Sequence, residues 1–175
     1  MEVIQIRTLR IGMTGSDVME IQAMLQKIGY YSGGIDGVFG PQMLQAVMRF
    51  QRDFGLTPDG VIGPNTYAAM EPFLLGYREY TIRPGDNFYS LAKRFFTNHT
   101  LLMAANPGLD ANNLKIGQKI IVPYGFNVVD TNINYTYDVL QRDIAGLKAR
   151  YPFLETGVAG KSVLGRDLTY IRLGT

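Results

Sequence analysis

Asp36-Gly37-Val38-Phe39-Gly40-Pro41 returns at residues 59–64 as Asp59-Gly60-Val61-Ile62-Gly63-Pro64, the two Asp residues standing 23 positions apart. In each copy Asp can bond its own backbone, the following Gly can take positive φ, and Gly-Pro places Pro at the first position of a helix. A turn, a short apolar step and a helix start therefore occur twice. Upstream, Ser16 is positioned as an N-cap with Asp17 and Glu20 in the first turn; Val18, Ile21, Leu25 and Ile28 fall on one face, and Gly29 is the stop. After Pro41, the spacing of Met43, Val47, Phe50 and Phe54 predicts a helix ending at Gly55, and a shorter one should run from Pro64 to about Met70. The result is a three-helix unit whose Met and Phe stripes form its core.

Composition limits what such a chain can do. Its 175 residues, with 20 Gly and 8 Pro, suit several short-element units better than one long-helix bundle. Hydrophobic residues make up 46% and charged residues 18%, the profile of a folding chain. A net charge of +2 leaves no strong electrostatic footprint for nucleic acid or an anionic membrane, and points to an uncharged or only weakly charged ligand. The absence of Cys removes disulfides, thiolate metal sites and thiol nucleophiles. The single His, His99, stands alone before a helix and cannot complete a zinc site or a catalytic triad. No apolar run reaches the length of a membrane span, and Met1 to Gly12 lacks the basic-then-apolar order of a signal peptide.

A second region begins after Tyr77. Glu79 to Ile82 alternates as a strand, Pro84-Gly85-Asp86 turns, and Asn87 or Asp86 can cap a helix bearing Leu91, Ala92 and Phe95. A helix around Thr100 to Asn106 is stopped by Asn106-Pro107-Gly108 and leads to a strand at Ile120-Ile121-Val122, giving a β-α-α-β unit. Lys93-Arg94 and Arg49-Arg52 read as solvated helix faces.

Two resemblances follow. Leu9, Gly12, Gly15, Gln22, Tyr30, both Asp-Gly turns, Ala46-Val47 and Phe50-Gln51 are similar to the peptidoglycan-binding domain found beside wall hydrolases, over about residues 7–74. That resemblance implies a non-catalytic three-helix binder, and Asp36 and Asp59 are turn residues rather than an acid/base pair. Tyr80-Thr81-Ile82-Arg83-Pro84-Gly85-Asp86, Asn106-Pro107-Gly108-Leu109, Asn112-Asn113-Leu114 and Ile121-Val122-Pro123 resemble a LysM module over residues 79–123. LysM modules bind glycans containing N-acetylglucosamine, in peptidoglycan or chitin, in a groove between two loops. Carried onto this chain, those loops are Gly85, Asp86, Asn87 and Phe88 on one side and Pro107, Gly108, Leu109 and Asp110 on the other. Asn87 and Phe88 replace the hydroxyl and aliphatic residues often seen there, and Phe96 stands where many members have Gly.

The third region reads as one amphipathic helix over Thr136 to Tyr151 and two strands, Thr156 to Val163 and Asp167 to Leu173. Leu140, Asp143, Leu147, Arg150-Tyr151-Pro152, Gly165-Arg166 and Ile171-Arg172-Leu173-Gly174 resemble the opening of the zinc carboxypeptidases that act like γ-D-glutamyl-diaminopimelate peptidases. That family's zinc ligands and catalytic Glu follow this hairpin, so no catalytic or metal residue is assigned here, and zinc is expected in a downstream domain.

The expected fold is therefore α+β and multidomain: a three-helix peptidoglycan-binding domain at 1–76, a LysM module at 77–125, and a truncated helix plus β-hairpin from an α/β peptidase domain at 126–175. The expected function is non-catalytic binding of peptidoglycan or another N-acetylglucosamine-containing glycan, targeting a zinc-dependent peptidase to the cell wall or spore envelope. A structural or protein-interaction scaffold of the envelope is the alternative. Nucleic acid and membrane are not expected partners. Exposed strand edges over residues 157–173 favour pairing between two copies, and this third region should be the least stable part.

Overall fold

A computed structural model describes residues 7–129 and 133–172. Among these residues, six helices and two separate two-stranded antiparallel sheets give an α+β chain. They divide into two compact units: the chain up to Leu74 together with Val129–Val139, and Leu75–Val128 together with Leu140 onward.

The first unit holds α1 (Ser16–Lys27), α2 (Pro41–Asp53) and most of α3 (Pro64–Leu75) around one core that includes Leu25, Phe39, Met43, Phe50, Ile62 and Met70. Pro41 and Pro64 both open helices, as the repeated Gly-Pro requires. The apolar steps of the two repeats pair with the start of the chain. Leu9 and Ile62 exchange backbone hydrogen bonds of 3.1 and 2.9 Å, and Phe39 N–H donates to Met13 O at 2.8 Å.

Three local expectations are corrected. Ser16 is the first helical residue rather than the cap; Gly15 occupies the cap position without a side-chain bond, and the nearby Asp17 is taken up by Arg7 at 2.6 Å. Phe54 is not core: it lies at the C-cap of α2, 42% exposed, with its ring stacked on Phe50 at 4.2 Å and perpendicular to that of Phe73 at 5.6 Å. The third helix passes Met70 and ends at Leu75, because Pro72 falls late enough to cost one intrahelical bond, and Gly76, at φ 76°, supplies the stop.

In the second unit β1 (Tyr77–Thr81) pairs with β2 (Lys119–Pro123), Tyr77 opposite Pro123 and Thr81 opposite Lys119. Between them run α4 (Phe88–Arg94) and α5 (His99–Ala105), so the β-α-α-β order holds. Their shared core contains Tyr80, Ile82, Phe88, Leu91, Phe95, Leu102, Ile120 and Val122.

Further along, α6 (Tyr137–Arg150) precedes a hairpin of β3 (Glu155–Lys161) and β4 (Asp167–Arg172) with a bulge between Val158 and Lys161. Leu173 and Gly174 lie outside the described residues. The C-terminal part of α6 is fastened to the β2 end of its unit. Arg150, 6% exposed, donates through Nη2 to the carbonyls of Tyr124, of Phe126 at 2.9 Å and of Gly76 at 3.4 Å. Gly146 lets this contact close, since a Cβ there would collide with the carbonyl of Leu75 and meet Val128 at 2.9 Å. The hairpin faces α6 through Thr169, which accepts from Gln141 at 3.1 Å, and Thr156, which accepts from Lys148 at 3.1 Å.

Candidate functional site

The first loop is built from the end of β1 to the start of α4. Gly85, at φ 84°, completes the turn that Pro84 opens. Asp86 then folds back: its side chain is 3% exposed, accepts from Tyr80 Oη at 2.8 Å and Arg83 N–H at 2.7 Å, and pairs with Arg94 at 3.2 Å. Burial alone would raise this carboxyl, but the Arg83 N–H, the Tyr80 hydroxyl and the Arg94 guanidinium together hold it below the usual range. Arg94 also donates to Tyr80 Oη at 2.8 Å, so this half-exposed side chain is a structural tie as well as a solvated charge. Arg49, in the first unit, likewise donates to Gly29 O at 2.7 Å and lies 4.9 Å from the Tyr30 ring centre.

Asn87 caps α4. Its Oδ1 accepts from Ser90 N–H at 2.8 Å, while Ser90 Oγ accepts from Asn87 N–H at 3.1 Å, a reciprocal capping box. Phe88 is 3% exposed and belongs to the core, its ring edge-on to His99 at 5.7 Å. The spacing 88, 91, 95 is that of an inward helical face, a signal in the sequence that points away from the glycan-loop role expected for Phe88. All three side chains assigned to this loop thus hold the loop's own shape, and what Gly85 leaves open is backbone.

The second loop depends on Asn106. Its Nδ2 donates to Leu102 O at 2.7 Å and Ile121 O at 2.8 Å, and its Oδ1 accepts from Ile121 N–H at 2.9 Å. This amide ties the end of α5 to β2 and so fixes where Pro107 to Asp110 emerge. The Asn-Pro-Gly stop was visible in the sequence, but this cross-link between elements was not. Pro107, Gly108 and Asp110 are exposed, and Asp110 Oδ1 accepts from Asn112 N–H at 2.9 Å. Leu109 is half-buried against the core that contains Phe88, so both loops are rooted in one hydrophobic cluster.

Gly85 and Gly108 share a geometry: positive φ, 84° and 79°, and no atom within 4 Å of where a Cβ would stand. Each presents bare peptide to solvent. Peptide edges, a Pro ring and a partly buried Leu suit a neutral ligand with amide and apolar faces, and nothing in the two loops is poised for proton transfer. Among the described residues no three His, Cys, Asp or Glu side chains gather to hold a metal ion, and no helix is long and apolar enough to cross a membrane.

In the first unit the two Asp-Gly turns are clamped by buried glutamines. Gln22 Nε2 donates to Asp36 Oδ1 at 2.8 Å and Val38 O at 3.1 Å, while Gly37 N–H donates to Gln22 Oε1 at 2.8 Å. Gln51 repeats the pattern with Asp59 at 2.8 Å, Val61 O at 3.0 Å and Gly60 N–H at 2.8 Å. Both carboxylates are thus committed to turn geometry.

Comparison with known proteins finds a family match within each unit. Residues 14–70 match the family model described as "Putative peptidoglycan binding domain", and residues 80–123 match that of the LysM domain. A spore cortex-lytic enzyme of Halalkalibacterium halodurans is 46% identical over 65 residues, 37% of this chain and 20% of that protein. The spore cortex-lytic enzyme of Bacillus subtilis is 44% identical over 91 residues, 50% of this chain and 30% of that protein. The N-acetylmuramoyl-L-alanine amidase CwlM of Mycobacterium tuberculosis is 46% identical over 56 residues, 32% of this chain and 14% of that protein. The chain thus spans less than a third of the length of each of these relatives.

Proposed function

We propose that this chain, which carries a peptidoglycan-binding domain and a LysM domain of the kind found in cell-wall lytic enzymes, is the region that holds such an enzyme on its glycan substrate. The observation that carries the reading is the pairing of two wall-binding domains with loops at Gly85 and Gly108 that offer open backbone and no acid/base pair. Two weak sites on one chain raise occupancy of a polymer through effective concentration, without a deep pocket.

The glycan contacts proposed are the backbone of Gly85 to Phe88 and of Pro107 to Asp110, with Pro107 and Leu109 as apolar wall. The likeness of residues 140–174 to the opening of zinc carboxypeptidases supports a zinc-dependent peptidase as the enzyme being targeted, whereas the relatives named above are cortex-lytic enzymes and an amidase. Those relatives support the cell wall or spore envelope as the place of action. The β3–β4 sheet leaves an outer edge on each strand, and Val158, Leu168 and Tyr170 are 56%, 51% and 48% exposed, which supports edge pairing between two copies over residues 157–173.

Calorimetric titration of the whole chain with N-acetylglucosamine oligomers tests the reading. Saturable binding is expected, and no heat at millimolar oligomer from a folded chain would refute it.

A further inference from the structure

Phe96 combines two features that packing does not explain. It is the one non-Gly residue with positive φ among the described residues, at 51°, and its side chain is 85% exposed. A bulky residue in the left-handed region is strained, and here no burial of the ring offsets that strain. Tyr89, in the first turn of α4, is 80% exposed. Tyr89 stands near the start of α4 and Phe96 directly after its C-cap, Phe95, with the exposed Lys93 between them in the sequence. Tyr89 follows directly on the Gly85–Phe88 loop, so the first of the two exposed rings adjoins the candidate groove in the chain.

We propose that Tyr89, Lys93 and Phe96 form a second glycan-contact surface, continuous with the groove, on which further sugar rings of a bound strand stack. This rests on the glycan-binding reading given above and extends it to longer chains. Exposed aromatic rings present flat apolar surface to the C–H face of a pyranose, and the Lys93 ammonium can donate to hydroxyl or N-acetyl oxygens. The helix between them, α4, is seven residues long and rises about 10 Å, the span of about two linked pyranose rings. A strand leaving the groove at Tyr89 therefore reaches Phe96 one disaccharide further on. The positive φ at Phe96 turns the chain at the helix end and leaves its ring outside the core, where a ligand can reach it.

Two oligomers separate this surface from the groove. Wild-type chain and the variants Tyr89→Ala, Tyr89→Phe and Phe96→Gly are titrated with N-acetylglucosamine trimer and hexamer, with folding checked by circular dichroism and thermal unfolding. Tyr89→Ala and Phe96→Gly should each weaken hexamer binding about 3- to 10-fold and leave trimer binding unchanged, while Tyr89→Phe keeps both. Phe96→Gly should melt no lower than wild type, since it relieves the strained backbone. Unchanged hexamer affinity in both folded variants, or equal losses for trimer and hexamer, overturns the second surface. A wild-type chain that binds neither oligomer overturns the glycan-binding reading itself, and this extension with it.

Discussion

Gln51 holds Asp59 by a 2.8 Å hydrogen bond from its buried amide, and the same side chain accepts the N–H of Gly60 at 2.8 Å. Gln22 does the same for Asp36 and Gly37. One amide therefore satisfies a turn's carboxylate and its peptide N–H together, and through Val61 O it also fixes the strand step that bridges to Leu9. Gln22 and Gln51 are 0% and 1% exposed, so no water can replace them.

Gln51→Leu should therefore destabilise the first unit by about 1–3 kcal/mol, because the Gly60 N–H is left buried without an acceptor. Urea unfolding followed by circular dichroism measures it. Gln22→Leu should behave alike, while substitution of the exposed Gln42 should change little.

Acid should loosen the same turns. The Gln22 amide and the Val38 N–H hold the Asp36 carboxyl below its usual range, and the Val61 N–H and Gln51 amide do so for Asp59. A depressed folded value means the unfolded chain takes up protons first as pH falls. Their contribution is thus full above the ordinary carboxylate value of about 4 and is lost below it, as pH drops through the folded values. Urea midpoints from pH 7 to pH 2 should fall in that lower window, and the fall should shrink in Asp59→Asn.

Gly146→Ala should destabilise the second unit although Ala is the better helix former by about 1 kcal/mol. The added Cβ meets a backbone carbonyl, that of Leu75, which cannot rotate away, and overpacking of this kind costs about 1–3 kcal/mol. Hydrogen exchange should show faster exchange in α6 of the variant.

Much of this was legible because backbone chemistry is local. Asp-Gly followed by Gly-Pro specifies a turn and a helix start wherever it occurs, so both repeats and the starts of α2 and α3 could be read directly. Periodicity placed Met43, Val47 and Phe50, which are fully buried. What could not be read were bonds set by tertiary approach. The Gln22 and Gln51 partners lie 14 and 8 residues away, and Asn106 bonds across 15. The candidate loops were located by resemblance, yet the carried-over roles of Asp86 and Phe88 belong to the loop's own scaffold. A carboxylate that can reach Tyr80, Arg83 and Arg94 folds inward, and an aromatic three residues before Leu91 follows the helix face into the core.

Gly108→Val should cut affinity for an N-acetylglucosamine hexamer about 10-fold. Positive φ with a β-branched side chain costs about 1–2 kcal/mol of stability, and open space around the position means the new side chain meets ligand rather than protein. Native circular dichroism with unchanged affinity would show that the Pro107–Asp110 loop is not the contact.

Sedimentation of the purified chain with insoluble peptidoglycan is the most direct measurement of the central claim. The account predicts that the folded chain leaves the supernatant in a saturable way, is displaced by soluble N-acetylglucosamine oligomers, and releases no soluble fragments from the wall. A folded chain that stays in the supernatant at every wall concentration would contradict it.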